Sequence, residues 1–551
     1  EWNCDKGRWA FAYTEQGDRI GSPQVRDYDT GRLREASWSE ALERAGRGLA
    51  LARGEQGVGV LPGGRLTVED AYAYAKFARV SLQTHDIDFR ARPHSAEEAS
   101  FLASHVALSS GVDYADLEAA PLVVLVGLEP EDEAATIFLR LRKASTKGTR
   151  VVSIAPFTSR GLTKMHGALI ATAPGAEVDA IKALPTSVGL GKDAVILVGE
   201  RLAGTHGALT ALAQLAATSG ARLAWVPRRA GDRGAVESGA LPTLLPGGRP
   251  VADAGARVDA AAAWGVDSLP AAVGRDGDAI VAALLRGDLG GLVVGGVDPD
   301  DTSDPAAFRA ALAAAGFVVS LELRETDVTR AADVVLPVAP VADKAGTFVT
   351  WEGRTRPFEA VFANPASLPD LRVLAGIADE LAAIGQGAPL GFRTVSEVRS
   401  EMEAMGPWDG ARPAFEAGKA PRAPKPARRA SAKDGHAMAL VTWKQLIDHG
   451  SMQDGEEHLR ATARRAVARL SQTSYDAVFG MLDGEAGQEW RPEVTLTGDR
   501  GTVTLPVEVA DLPNDVVWVP ARSFGRGVLA DLASPGSPVA VKSGVTKEVT
   551  R

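Results

Sequence analysis

At 551 residues the chain exceeds what one hydrophobic core holds together, and the length predicts about three or four domains, each with its own interior. Hydrophobic residues make up 45% and charged residues 24%, and no uninterrupted apolar run approaches the roughly 20 residues of a membrane-spanning helix. This predicts a soluble multidomain protein without a membrane span. Lys and Arg number 60 against 70 Asp and Glu, so the net charge of −10, with no basic domain, speaks against a nucleic-acid partner.

The N-terminal EWNCDKGRWAF lacks the basic, apolar and small-residue regions of a secretory signal, and without an initiating Met it reads as a chain cut from something longer. Cys4 is the single cysteine. It excludes an intrachain disulfide and points to the reducing cytoplasm. It also excludes a self-contained iron–sulfur site, which takes about four thiolates.

From Gly57 onward one grammar repeats: a short apolar run, a loop with Gly or Pro, then a stretch of helical period, as parallel α/β units require. Pro121–Val126 (PLVVLV) reads as a buried strand and GLEPEDE as its loop. A helix with Ala134, Ile137, Phe138 and Leu141 on one face follows, and VVSIA from Val151 is the next strand. A second unit runs from AVILVG at Ala194 through a helix carrying Leu209, Leu212 and Leu215 to RLAWV, ending at Val226. A third runs from GLVVGG at Gly291 through Pro305–Ala315 to FVVSLEL at Phe317. Right-handed crossovers predict doubly wound sheets from these units. Over Lys419–Gly435 the composition turns to KAPRAPKPARRASAKDG, whose prolines and like charges predict an extended linker. Beyond it, HLRATARRAVARL predicts a helix, VTLTGDRGTVTLPVEV a hairpin, and VVWVP and PVAVKSG further strands, so the C-terminus reads as a separate, mainly β domain.

No G-x-x-x-x-G-K-[ST], no G-x-G-x-x-G directly after a strand and no G-x-S-x-G is present. The strand-to-helix loops are acidic instead, with Glu129, Glu131, Asp132 and Glu133 in one and Asp298, Asp300 and Asp301 in another. Carboxylates at helix N-termini satisfy the free N–H groups and repel an incoming anion, so these loops read as structural caps and not as phosphate cradles. His94, Glu98 and His105 share one face if Ser95–His105 is helical. That spacing matches no established metal motif, and the plain reading is histidines on an amphipathic helix.

Five segments carry a resemblance: Cys4-Asp5-Lys6-Gly7-Arg8-Trp9-Ala10-Phe11, GDRIGSPQVRDYDTGRLREASWSEAL, GLEPEDEAATIFLRLRKA, AADVVLPVAPVADKAGTFVTWEGRTRP and, after the linker, TWKQLIDHGSMQDGE. In order and spacing they resemble the molybdopterin-oxidoreductase-like region of the G-subunit family of bacterial NADH-quinone oxidoreductase, respiratory complex I. The resemblance implies an α/β multidomain fold with doubly wound parallel sheets of the formate dehydrogenase/DMSO reductase type and a C-terminal β-barrel-like domain. It implies an N-terminal segment at 1–50, a discontinuous α/β domain at 51–115 and 275–415, a second at 116–274, the basic linker at 416–437, and a helix followed by the β-rich domain at 438–551. Cys4 matches the last cysteine of a four-cysteine [4Fe–4S] site whose first three ligands lie upstream in the family's full chain. Lys6 matches a lysine that stands between cluster and pterin in active relatives; here it reads as an ordinary surface ammonium. The implied partners are the other peripheral-arm subunits of complex I, and the implied location is cytoplasmic, peripheral to the inner face of the cell membrane.

The departure from active relatives lies at Thr84–Ser95, THDIDFRARPHS. Formate dehydrogenase and its molybdenum or tungsten kin carry a Cys, Sec or Ser metal ligand there, beside a His-Ser or His-Gly pair. This chain has Arg90, Arg92 and Pro93, with no thiol nearby, so a soft metal loses its protein ligand. The expectation is a structural and electron-transfer subunit serving electron passage from NADH, bound on another subunit, to quinone, without molybdopterin catalysis and without a catalytic residue of its own. The alternative is an active molybdopterin-dependent oxidoreductase resembling formate dehydrogenase, with Ser95 or no residue on the metal. A third reading is a docking module that recruits a partner through the basic linker and the β-rich C-terminus.

Overall fold

The computed structural model describes residues 4–109, 111–364, 366–413, 415, 435–480 and 492–544. They form two compact units, each assembled from separate stretches of the chain: Glu1–Tyr13, Gly111–Arg228 and Ala417–Arg551 in the first, Thr14–Ser110 and Arg229–Glu416 in the second.

The first unit contains a parallel five-stranded sheet in the order Ala168–Ala171, Arg150–Ala155, Leu122–Val126, Val195–Gly199, Arg222–Val226. Every residue of Leu122–Val126 and Val195–Gly199 is buried, as central parallel strands covered on both faces require. The helix Ala135–Ser145 lays Ile137, Phe138 and Leu141 on the core as the sequence periodicity anticipates, and Ala144 joins them. Ala208–Ser219 does the same with Leu209, Leu212 and Leu215. The chain leaves the first strand to one side and returns to build on the other, so the topology reverses between Leu122–Val126 and Val195–Gly199. In sheets of this kind the crevice at such a reversal is the usual ligand site.

The same unit holds a closed six-stranded barrel in the order His436–Val441, Val516–Trp518, Ala468–Leu470, Thr502–Val509, Glu493–Thr497, Pro538–Gly544. Met438 and Leu440 alternate inward from one strand and Val494 and Leu496 from another, closing on Leu470, Val517 and Val541. The expected hairpin is present, with Glu493–Thr497 antiparallel to Thr502–Val509. The helix expected over 458–470 is not. One helical turn, Glu457–Arg460, is followed by the strand Ala468–Leu470, where Ala468 and Leu470 face the barrel core and pair with Val507 and Val509. Burial at period two overrides the helical propensity of an Ala- and Arg-rich stretch. The basic linker falls outside the described residues over 416–434, and from His436 the chain is already a barrel strand.

The second unit is built on a six-stranded sheet: Leu33–Glu35, Gln24–Arg26, Val334–Pro337, Phe317–Glu322, Gly291–Gly295, Val58–Pro62. The last four run parallel, and the first two join antiparallel at one edge. Residues 58–62 precede their neighbour 291–295 by more than two hundred positions, so the sheet forms only when distant stretches of chain meet. The helix Trp38–Glu55 crosses it closely: the ring of Phe317 lies where a Cβ on Gly48 would sit, so a side chain there would push the helix off the sheet. Among the described residues no helix is long and apolar enough to cross a membrane.

Candidate functional site

Cys4 caps the short helix Asp5–Trp9, its Sγ accepting the backbone N–H of Gly7 at 3.4 Å. The thiol is half-buried. Lys6 donates from Nζ to the carbonyl of Leu446 at 2.9 Å and lies 3.6 Å from Asp448, which fastens this turn to the TWKQLIDHG segment of the barrel. The lysine expected to be an ordinary surface ammonium is therefore an anchor.

The 84–95 segment lies in the second unit, buried over 85–90 and at Arg92 and half-buried elsewhere. Arg90 and Asp88 face each other with no exposure, joined by Nε to Oδ1 at 2.9 Å and Nη2 to Oδ2 at 2.7 Å. Glu98 closes the cluster by accepting from Arg92 at 2.7 Å and 3.1 Å and from Arg90 at 3.4 Å. Burial alone would raise the Asp88 carboxyl, but the Arg90 charge, then that of His94, outweighs it and holds the group at about 2. Two guanidinium groups and two carboxylates thus form a closed, buried clamp. His85, in the same segment, accepts from Arg79 Nε on Nδ1 at 3.2 Å and donates from Nε2 to the Pro270 carbonyl at 2.8 Å. Burial, then the Arg79 charge, pushes it down to about 3, so its ring is neutral.

The helical face drawn from His94, Glu98 and His105 does not form. His94 precedes the helix Ala96–Phe101 and binds the Arg92 carbonyl, Glu98 turns to the two arginines, and His105 stacks on Phe101 with ring centroids 5.2 Å apart.

At the topological reversal of the first unit, the acidic loop caps itself and takes cations. Glu133 accepts the Glu129 N–H at 2.7 Å and pairs with Arg201 at 2.9 Å, while Glu131 holds Lys164. The loop also receives the barrel. Asp132 accepts from Trp443 Nε1 and from the Leu446 N–H, each at 3.2 Å, and from Arg464. The Trp443 ring lies 5.2 Å from the Arg201 guanidinium carbon and stacks on Phe157 at 5.1 Å. Arg201 follows one strand of the reversal and Asp132 the other, so Trp443 bridges both loops at the mouth of the crevice. Deeper in, a Cβ on Gly199 would overlap the Gly127 carbonyl, so the two strand ends touch directly. Burial, with Asp132 and Glu133 adding to it against a bond from Ser159, raises the Glu129 carboxyl to about 7. In the second unit Asp298 caps the Asp300 N–H at 2.9 Å, Asp300 pairs with Arg309 at 2.6 Å, and Asp301 lies 3.4 Å from Arg229. Both acidic loops thus act as the caps that their sequence suggests. The docking of Trp443 and Arg464 on Asp132 has no local signature, because its partners lie more than three hundred residues apart.

A family model for molybdopterin oxidoreductase matches residues 19–378. The chain is 52% identical over 557 residues to the G subunit of NADH-quinone oxidoreductase from Mycobacterium bovis, an alignment covering 99% of this chain and 66% of that protein. With the G subunit from Streptomyces coelicolor the identity is 47%, covering 98% of this chain and 66% of the relative. The chain therefore spans about two-thirds of the length of these relatives. Among solved structures, acetylene hydratase from Pelobacter acetylenicus shares the fold, with a TM-score of 0.59 over 98% of this chain and 94% of that one at 12% identity. With 360 of its positions inside the family model and the expected two kinds of domain in place, the chain belongs to the molybdopterin oxidoreductase family, as a homologue of the NADH-quinone oxidoreductase G subunit.

Proposed function

We propose that the chain is a structural and electron-transfer part of the peripheral arm of an NADH-quinone oxidoreductase, on the cytoplasmic side of the membrane and bound to the arm's other subunits. The observation that carries this reading is the 47–52% identity to G subunits along nearly the whole chain. The buried Arg90–Asp88–Glu98 clamp supports it, since it fills the segment where catalytic relatives hold their metal. A soft metal such as molybdenum does not fit the residues of the clamp segment, which carries no thiol.

Cys4 fits one corner of a [4Fe–4S] cluster. Its half-buried Sγ already accepts a backbone N–H, a bond that stabilises a ligating thiolate. The other three thiolates must come from outside this sequence, which has one cysteine. When bound, such a cluster passes single electrons. The role of this chain is to hold the Cys4 turn, through Lys6 on Leu446 and Asp448. Purified without partners, the chain is expected to show no NADH oxidation with a quinone acceptor and no stoichiometric molybdenum or tungsten. Turnover, or one molybdenum per chain, contradicts the reading.

A further inference from the structure

Beside the clamp the His94 ring presents a buried nitrogen without a hydrogen-bond partner. The His94 side chain is 2% exposed, and its Nδ1 lies 2.8 Å from the Arg92 carbonyl. A carbonyl only accepts, so Nδ1 carries a proton and Nε2 is the ring atom turned toward the neighbouring carboxylates. That Nε2 is buried without a hydrogen-bond partner. It faces Asp88 Oδ2 at 3.8 Å and Asp276 Oδ2 and Asp278 Oδ2 each at 4.0 Å. Three carboxylates converging on one ring nitrogen call for positive charge at Nε2, supplied by a proton or by a bound cation.

Asp88 is already saturated. It accepts the Arg90 backbone and side-chain N–H groups, and the Gly277 N–H reaches its Oδ2 at 3.0 Å. Asp276 spends Oδ1 on capping the helix Gly277–Arg286, through the Ala279 N–H at 2.9 Å, and keeps Oδ2 available. Among the described residues the His94 ring is the one ion-pair partner of Asp276 and of Asp278. Gly277 lies between the two aspartates, and a Cβ there would come 3.4 Å from His94 Cε1 and 3.9 Å from Asp88 Cβ.

We propose that His94 Nε2, Asp276 Oδ2 and Asp278 Oδ2 form a binding site for a divalent transition cation of the zinc class, with water as the fourth ligand. One imidazole and two carboxylates suit such an ion, and an Nδ1–H anchored on a carbonyl is the usual support of a ligating histidine. Asp88, locked by Arg90, adds negative charge behind the site. No three such side chains among the described residues are already arranged to hold an ion. The spacing of 3.8–4.0 Å exceeds the roughly 3.4 Å between ligands of tetrahedral zinc. Closing that gap takes an inward turn of Asp276 and Asp278, with side chains 23% and 54% exposed, and Asp278 then gives up its bond with Ser303. The site is independent of Cys4 and of any redox role.

The test is titration of the chelator-stripped 551-residue chain with Zn2+, and with Co2+ as a visible probe of four-coordination. One equivalent should bind with a raised thermal midpoint and the Co2+ absorption of a four-coordinate ion. Asp278→Asn, at a half-exposed position that tolerates the change, and His94→Gln should each lose the equivalent and the absorption, while Cys4→Ser keeps both. Equal binding in wild type, Asp278→Asn and His94→Gln would mean an adventitious ion only, and the proposal falls. It falls equally if wild type binds neither ion, in which case a proton on His94 occupies the place assigned to the metal.

Discussion

Arg90 has no exposed side-chain surface, and its charge is balanced by Asp88 and Glu98 within the same buried cluster. Removing it leaves two carboxylates and one guanidinium in a dry interior. Arg90→Ala should therefore destabilise the second unit by about 3–5 kcal/mol, read as a lowered denaturation midpoint. Arg90→Lys, which lacks the planar fork, should recover part of that loss. Two carboxylates at these sites, Asp88 and Glu129, predict opposite pH dependences. Asp88 is held at about 2 against 3.8 unfolded, so its contribution is present above pH 3.8 and is lost as pH falls toward 2. Glu129 is raised to about 7 from 4.5, so the folded state favours its protonated form and stability falls as pH rises from 4.5 through 7. The difference corresponds to about 3 kcal/mol above pH 7. Glu129→Gln keeps an acceptor for the Glu131 N–H and removes the ionisation. Its melting temperature should exceed that of wild type at pH 8 and match it near pH 5; a constant offset at both would show that burial of the charge is not the cause.

Trp443 is the element-scale counterpart of the arginine clamp. It packs on Phe157 at 5.1 Å and on Trp518 at 4.9 Å while its Nε1–H reaches Asp132. Trp443→Ala should cost about 3–5 kcal/mol. Hydrogen exchange should quicken in the barrel strands His436–Val441 and Val516–Trp518 and stay slow in Leu122–Val126 and Val195–Gly199, whose burial does not depend on the barrel. The strands most legible in the sequence were these central ones, because burial on both faces leaves an unbroken apolar run. The stretch over 458–470 misled, because Ala and Arg favour a helix locally while only the closed barrel rewards the inward alternation of Ala468 and Leu470. At the candidate site the sequence marked Arg90 and Arg92 as a departure, but not that Asp88 and Glu98 neutralise them. Alternating charges within ten residues were the available signal. Nothing local announced Gly277, which meets Asp88 from 189 positions away, or the aspartates on either side of it.

At the scale of the whole molecule, each α/β sheet and the barrel is packed by the chain's own side chains. The acidic loops cap helices, Trp443 joins the barrel to the Asp132 loop, and a buried arginine clamp holds residues 88–98 together. In the proposed role the chain seats the Cys4 turn, which is tied through Lys6 to Leu446 and through the Leu446 N–H to Asp132. The most direct test is iron, acid-labile sulfide and molybdenum analysis of the full-length protein, with low-temperature electron paramagnetic resonance, on wild type and Cys4→Ser side by side. The account predicts a [4Fe–4S] signal in wild type that Cys4→Ser loses, with no molybdenum in either. An unchanged cluster in Cys4→Ser, or stoichiometric molybdenum in wild type, would contradict it.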